Sequence, residues 1–350
     1  MRKLFIIAGL AVTTWGATSK KLVWSDEFGY TGLPDATKWA YDVGGNGWGN
    51  NELEYYTGSR AKNAWVDSGV LKITVRLEDT TSVSRGTSTT NHFTSARIVT
   101  RGKASWTYGR FEARMKMPKG LGMWPAFWMI PTTPNPYGYW PQSGEIDIFE
   151  NWGYDAGTMR GSVQTSNHNG GTSVHSAMQA KAPADSFHVF ALDWSKDTIA
   201  VSLDSMVYFK YGNPHTTSAD WPFDQPLYII INVAVSGTWG DTTQTQTSNL
   251  PQSLVVDWVR VWQDTVAGAS IHSAADPKGW RTKALASDGT LFLVTDGPVR
   301  WTLLSPSGAL IRTGSIGTAG THTLGRIDTG VGYVSVVEDG VRRILRVAVP

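Results

Sequence analysis

The segment Gly144–Glu150, GEIDIFE, threads three carboxylates, Glu145, Asp147 and Glu150, among Ile146, Ile148 and Phe149. Ionised side chains are costly to bury unless they are paired, so this run cannot simply fill a core. Read as a strand, its side chains alternate between faces. Glu145 and Asp147 then share one face, with Ile146 and Ile148 on the other. Strict alternation would put Phe149 beside the acids and drive Glu150 into the apolar layer. One extra residue, a β-bulge near Ile148–Phe149, restores the phase and returns Glu150 to the side of Glu145. The heptad therefore predicts a sheet that is apolar behind and acidic in front, with the acids aimed into a groove.

The rest of the chain is consistent with such a sheet. From Lys21 to about Gln263 it consists of short β-like runs broken by Gly, Pro, Asn and Asp. Among them are Gly69–Leu77, Tyr108–Pro118, Ile199–Phe209, Pro226–Val235 and Ser253–Gln263, several alternating at period two. Many short strands with turn punctuation argue for a β-sandwich. After Gln263 the text becomes small, polar and strandless, then resumes as short runs joined by turns such as Asp296-Gly297 and Asp339-Gly340. The expected organisation is a main β-domain over 20–264, a linker over 265–280 and a small β-domain over 281–350. The chemistry belongs to the first, because the second lacks the acids and most of the tryptophans.

Charge and composition narrow the partners. With 31 Lys and Arg against 29 Asp and Glu, the formal net charge is +2, and no basic run exists for phosphate binding. Nucleic acid is not an expected partner. Cysteine is absent, which removes disulfides, thiolate metal sites and Cys nucleophiles. The opening residues 1–19 join a basic start (Arg2, Lys3) to an apolar run, Leu4–Val12, and small residues with Ala17 and Ser19. That is the layout of a secretory signal peptide; nine apolar residues are too few to span a bilayer. Export is expected, with no membrane span. Of 17 tryptophans, 14 lie between Trp24 and Trp262; they serve as core or as flat platforms for sugar rings.

Two carboxyls on one surface are the equipment of glycoside hydrolysis: one attacks the anomeric carbon, the other protonates the leaving oxygen and then deprotonates water. Asp147 between them would hold a proton or a hydrogen bond, and its charge would help keep Glu150 protonated. A calcium loop would set its acids in Gly/Asp-rich turns, and a solvated strand face would need no apolar interleaving. Serine-triad and zinc hydrolases are disfavoured, since neither GxSxG nor HExxH occurs.

GEIDIFE resembles the E-x-D-x-x-E signature of family 16 glycoside hydrolases, in the bulged-strand form of laminarinases, agarases and carrageenases. Val23–Phe28, Trp48–Thr57, Ser95–Lys103, Tyr108–Met129 and Ser236–Asp241 match in order over roughly 240 residues. The resemblance implies a concanavalin A-like β-jelly roll with a concave substrate groove, and a retaining mechanism. It makes Glu145 the nucleophile, Glu150 the acid/base and Asp147 the assisting acid. It implies sugar contacts from Asn51, Arg97, Trp124, Trp128, His168 and Trp239. Trp124 and Trp128 share a strand face across small Ala126. Many relatives have a His where this chain has Gln164, which unsettles the hydrogen bonding near the acid/base.

Relatives also bind a structural calcium through positions matching Glu27, Gly69 and Asp257; no cofactor is required for the chemistry. WGNNELEYYT resembles the β-1,3-glucanase branch, and no Lys/Arg cluster for sulfated sugars stands near the motifs. The expected enzyme is a secreted, monomeric endo-glucanase acting on laminarin-type β-1,3-glucan, with mixed β-1,3/1,4 chains as a further substrate. The alternatives are another polysaccharide (lichenan, agarose, carrageenan), transglycosylation, or glucan binding without catalysis. The tail from Pro298 resembles bacterial C-terminal sorting modules that engage secretion machinery, against a small carbohydrate-binding module or a spacer.

Overall fold

In a computed structural model of the protein, the structure describes residues 20–84, 87–132, 135–240 and 245–264, and then 283–287, 290–295, 298–304, 310–326, 331–338 and 341–348. The expected signal peptide, the linker and the turns at 296–297 and 339–340 lie outside the described residues.

Lys20–Asp264 forms one compact unit of two facing sheets. The seven-stranded sheet runs, in spatial order, Val174–Gln179, Thr158–Gln164, Glu145–Asn151, Met123–Pro131, Leu227–Val235, Arg97–Val99 and Ala40–Asp42. The back sheet runs Met206–Gly212, Thr198–Leu203, His188–Trp194, Gly109–Lys116, Gln252–Asp264, Val70–Ser84, Thr87–Ser95 and Glu54–Tyr56, with Lys20–Asp26 and Ala64–Asp67 added alongside. All pairs are antiparallel except Glu54–Tyr56 on Thr87–Ser95. This is the jelly-roll sandwich.

Between the sheets lies one core. Phe28, Trp39, Phe111, Phe127, Phe149 and Phe190 are fully buried within it, joined by the alternate residues Ile229, Ile231, Val233 and Val235. Each such side chain contributes about 1.5–3 kcal/mol of transfer free energy, so the period-two pattern decides which face of each strand turns inward. The intervening residues Tyr228, Ile230 and Asn232 belong to the other face, where Val99, Tyr228 and Ile230 form a separate small cluster with Ala40, Trp128 and Ile130. The stretch Ile199–Phe209, read from the sequence as one run, is a hairpin: Thr198–Leu203 and Met206–Gly212 meet at Asp204 and Ser205, both at positive φ. An Asp-Ser pair tolerates that turn, which an unbroken apolar pattern conceals.

The C-terminal unit consists of a three-stranded sheet (Lys283–Ser287, Thr290–Thr295, Gly320–Arg326) and a four-stranded one (Leu310–Ile316, Val299–Leu304, Val331–Glu338, Val341–Ala348). Leu291, Leu293, Val299, Trp301, Leu303, Leu324, Val334 and Val336 make its core. No helix among the described residues is long and apolar enough to cross a membrane.

Candidate active site

The bulge falls where the acids require it. Asp147 pairs with Trp128 and Glu150 with Ala126, so three steps on the acid strand meet two on its neighbour. On the other side Asp147 faces Ser162 and Glu150 faces Arg160, again one residue in excess. Ile148 has no partner in either register. Ile146, Ile148 and Phe149 go to the core, where Phe149 stacks on Phe190 with centroids 4.4 Å apart. Glu145, Asp147 and Glu150 all turn to the groove. Gly144 opens the strand at φ +81, and a Cβ there would lie 2.6 Å from Pro222, so only glycine fits this entry to the strand.

Asp147 lies buried between two partly exposed glutamates. Its carboxylate accepts hydrogen bonds from Ser162 Oγ and, at 3.2 Å, from Gln164 Nε2. Trp124 Nε1 donates to Glu150 Oε1 at 3.0 Å. Burial pushes the Glu145 pKa well above the usual carboxylate range, the negative charge of Asp147 adds to this, and Arg97 opposes it. Burial also raises Asp147, against the hydrogen bonds from Ser162, Glu145 and Gln164. Glu145 and Asp147 thus hold a proton between them. Glu150 is pushed up to about 8, by burial first and by the charge of Asp147 second, with Trp124 and Arg160 pulling the other way. Glu150 thus keeps its proton at neutral pH, as a general acid requires, while Glu145 and Asp147 share one rather than ionise together.

Trp124 and Trp128 share the groove face as their spacing predicts. Trp128 is fixed from the side: its Nε1 donates to Asn232 Oδ1 at 2.8 Å, Asn232 Nδ2 donates to Tyr56 OH at 2.9 Å, and Tyr56 OH donates to Glu52 Oε2 at 3.2 Å. Glu52 and the fully buried Glu54 stand against each other, and burial raises both. Arg97 is only 11% exposed, with its Nε 3.0 Å from Asp42. Its guanidinium lies 4.9 Å from the Trp48 ring and 4.6 Å from Trp128. Arg97 is therefore a pillar of the aromatic wall as well as a neighbour of Glu145.

The remaining sequence-derived positions are spread along the rim. Asn51, at φ +57, donates to Thr238 Oγ1 at 3.3 Å, which brings the Trp48–Glu52 loop against the turn carrying Trp239. Trp239 is exposed and stacks on Trp152 at 5.8 Å. His168 stands in the loop after Gln164 with Nε2 3.9 Å from Asp220; the bonds to Asp147 come from Ser162 and from Gln164. Strand registers bring Glu27, Gly69 and Asp257 to one neighbourhood, since Asp26 pairs with Val259 and Leu71 with Val256. Two carboxylates and a carbonyl suit a hard cation. Here, however, Arg260 grips Glu27 in a bidentate pair at 2.9 and 2.8 Å and Arg114 holds Asp257. A calcium ion would have to displace both arginines.

A family model for the glycosyl hydrolases of family 16 matches residues 54–260. The chain belongs to that family. A β-glucanase of Rhodothermus marinus is 46% identical over 252 residues, 69% of this chain and 85% of the relative. The X-ray structure of the laminarinase from Rhodothermus marinus superposes with a TM-score of 0.65 at 45% identity, covering 70% of this chain and 98% of that one. SCLam, a non-specific endo-β-1,3(4)-glucanase, follows at TM-score 0.65 and 40% identity, over 70% of this chain and 91% of its own. The fold of this family 16 hydrolase is accordingly that of solved laminarinases.

Sequence reading missed Ser162, Asn232, Tyr56, Glu52 and Trp48 as parts of the site. The alternation of Thr158–Gln164 and Leu227–Val235 would have placed Ser162 and Asn232 on the groove face. Which acid or ring each would meet depends on strand order.

Proposed function

We propose that this family 16 hydrolase cleaves β-1,3-glucosidic bonds within laminarin-type glucan with net retention, and accepts mixed β-1,3/1,4 chains. The observation that carries this reading is the bulge at Ile148, which sets Glu145 and Glu150 on one groove face with Asp147 between them. The likeness to a laminarinase and to a non-specific endo-β-1,3(4)-glucanase supports the linkage.

Glu145 attacks the anomeric carbon while Glu150 donates its proton to the departing oxygen. In the resting site the shared proton lies on Glu145 and Asp147 carries the charge; for the attack Glu145 must be ionised, so that proton passes to Asp147, whose carboxyl then hydrogen-bonds the nucleophile. Esterification removes the charge of Glu145; Glu150, having lost its proton, then takes one from the incoming water. Trp124 and Trp128 present the wall against which a glucosyl ring stacks. Asn51, His168 and Trp239 supply rim contacts, and Arg97 acts chiefly through the two tryptophans it holds.

Export by the N-terminal segment, a monomeric state and sorting by the C-terminal module belong to the same proposal, as does a structural calcium that competes with Arg260 and Arg114. The test is product analysis. Wild type should release reducing ends from laminarin, with the β-anomer appearing first by NMR. Glu145→Gln should release none while still binding the glucan. Absence of reducing ends with wild type would refute the enzyme reading in favour of glucan binding, and longer products from a labelled oligosaccharide would point to transglycosylation.

A further inference from the structure

A β-bulge leaves a backbone group outside the ladder, and an unsatisfied buried carbonyl is costly. In the acid strand that group is the carbonyl of Ile148, which has no partner in either register. It accepts a hydrogen bond of 2.7 Å from Tyr208 OH. Tyr208 belongs to the other sheet, on the edge strand Met206–Gly212, and packs against the core. Its ring passes Gly161, where an added Cβ would stand 3.1 Å from Tyr208 Cε2 and 3.2 Å from Phe209 Cβ. Gly161 lies one residue from Ser162 and one from Arg160, the cross-strand partners of Asp147 and Glu150. Gly161 thus leaves room for the tyrosine to pass to the bulge, and a Cβ there would press on its ring.

We propose that Tyr208 is a positioning residue of the catalytic centre, pinning the Ile148 bulge so that Glu150 stays aimed into the groove. The inference rests on the hydrolase reading above. Tyr208 touches no substrate and acts through the backbone between Asp147 and Glu150. Burial and the negative charges of Glu150 and Asp147 push its own hydroxyl pKa up, so it remains a hydrogen-bond donor throughout the working pH range. Glu150 faces Asp147 on its own strand, Arg160 on the next strand, Trp124 on the other side and Glu52 from the rim loop. None of these holds the bulge backbone. Without the pin the bulge can relax toward water, and the burial that keeps Glu150 protonated is weakened.

The test compares wild type with Tyr208→Phe, which keeps the ring and loses the hydroxyl. On laminarin, kcat should fall by about ten-fold or more, within the usual worth of a positioned acid, with KM within two-fold. The alkaline limb of kcat/KM should move to lower pH as Glu150 becomes better solvated. On a laminaribioside with a 2,4-dinitrophenolate leaving group, which departs without protonation, the burst of phenolate should stay near the wild-type rate. Gly161→Ala, which crowds the ring and leaves the hydroxyl in the chain, should shift the limb in the same direction and serves if Tyr208→Phe does not fold. A variant that only melts earlier, with limb and kcat unchanged, overturns the proposal. A wild type inactive on laminarin would instead refute the hydrolase reading itself.

Discussion

Trp124 donates its indole N–H to Glu150 Oε1 at 3.0 Å, from two residues along the strand beyond Ala126, the direct cross-strand partner of Glu150. The bond favours the ionised carboxylate and so lowers a pKa that burial and Asp147 hold at about 8. Trp124→Phe removes the donor and keeps an aromatic wall. The alkaline limb of kcat/KM should move to higher pH, while kcat falls because Glu150 is less readily left ionised to act as base. A pH–rate profile of the variant checks the direction; a limb displaced downward would contradict this account.

Asp147 acts on Glu150 through its negative charge, with the opposite sign. In Asp147→Asn the repulsion is gone, so Glu150 should ionise at lower pH and the alkaline limb should move down. The amide also cannot take up the proton shared with Glu145. We expect kcat on laminarin to drop roughly 10²–10³-fold, in the range of losing one preorganised partner at a charged centre, with glucan binding by calorimetry little changed.

Glu52 and Glu54 form a buried carboxyl pair whose pKa values are both raised above the ordinary 4.5 by desolvation first. A folded pKa above the unfolded one means the folded state binds more protons. The pair's contribution is therefore fully present below 4.5 and is lost as pH climbs through the raised folded values. Glu54→Gln supplies a donor to Glu52 without needing a proton, and its oxygen can still accept the 2.6 Å bond from Val235 N. Its melting temperature should exceed wild type by ~2–4 °C at pH 8, about 1 kcal/mol, and the gap should close near pH 4.5. Thermal melts at the two pH values decide it.

Arg97 joins Asp42 to the faces of Trp48 and Trp128. Arg97→Met leaves Asp42 with Arg101 alone. Stability should fall by about 2 kcal/mol, below the usual 3–5 for breaking a buried pair because Arg101 remains. With the wall loosened, KM for laminarin should rise more than kcat falls. Urea unfolding and steady-state kinetics together check both halves; an unchanged KM would remove Arg97 from the aromatic wall.

The acid strand was legible because its chemistry permits one solution. Three carboxylates among Ile and Phe cannot alternate strictly without burying Glu150, and the bulge is the smallest correction. Trp124 and Trp128 were legible for a similar reason, since a spacing of four with small Ala126 between them puts both rings on one face. Ile199–Phe209 was misread because the Asp204–Ser205 turn carries neither Gly nor Pro.

By itself, then, the sequence determined the local phases: which residue of each strand faces apolar packing and which faces the groove. That follows from period-two geometry and the cost of burying charge. Tertiary structure alone decided which phases meet. Tyr208 reaches a carbonyl 60 residues away, Asn232 a tryptophan 104 residues away, and Asp42 becomes the partner of Arg97. These contacts depend on strand order and on two sheets closing over one core, which no local spacing encodes.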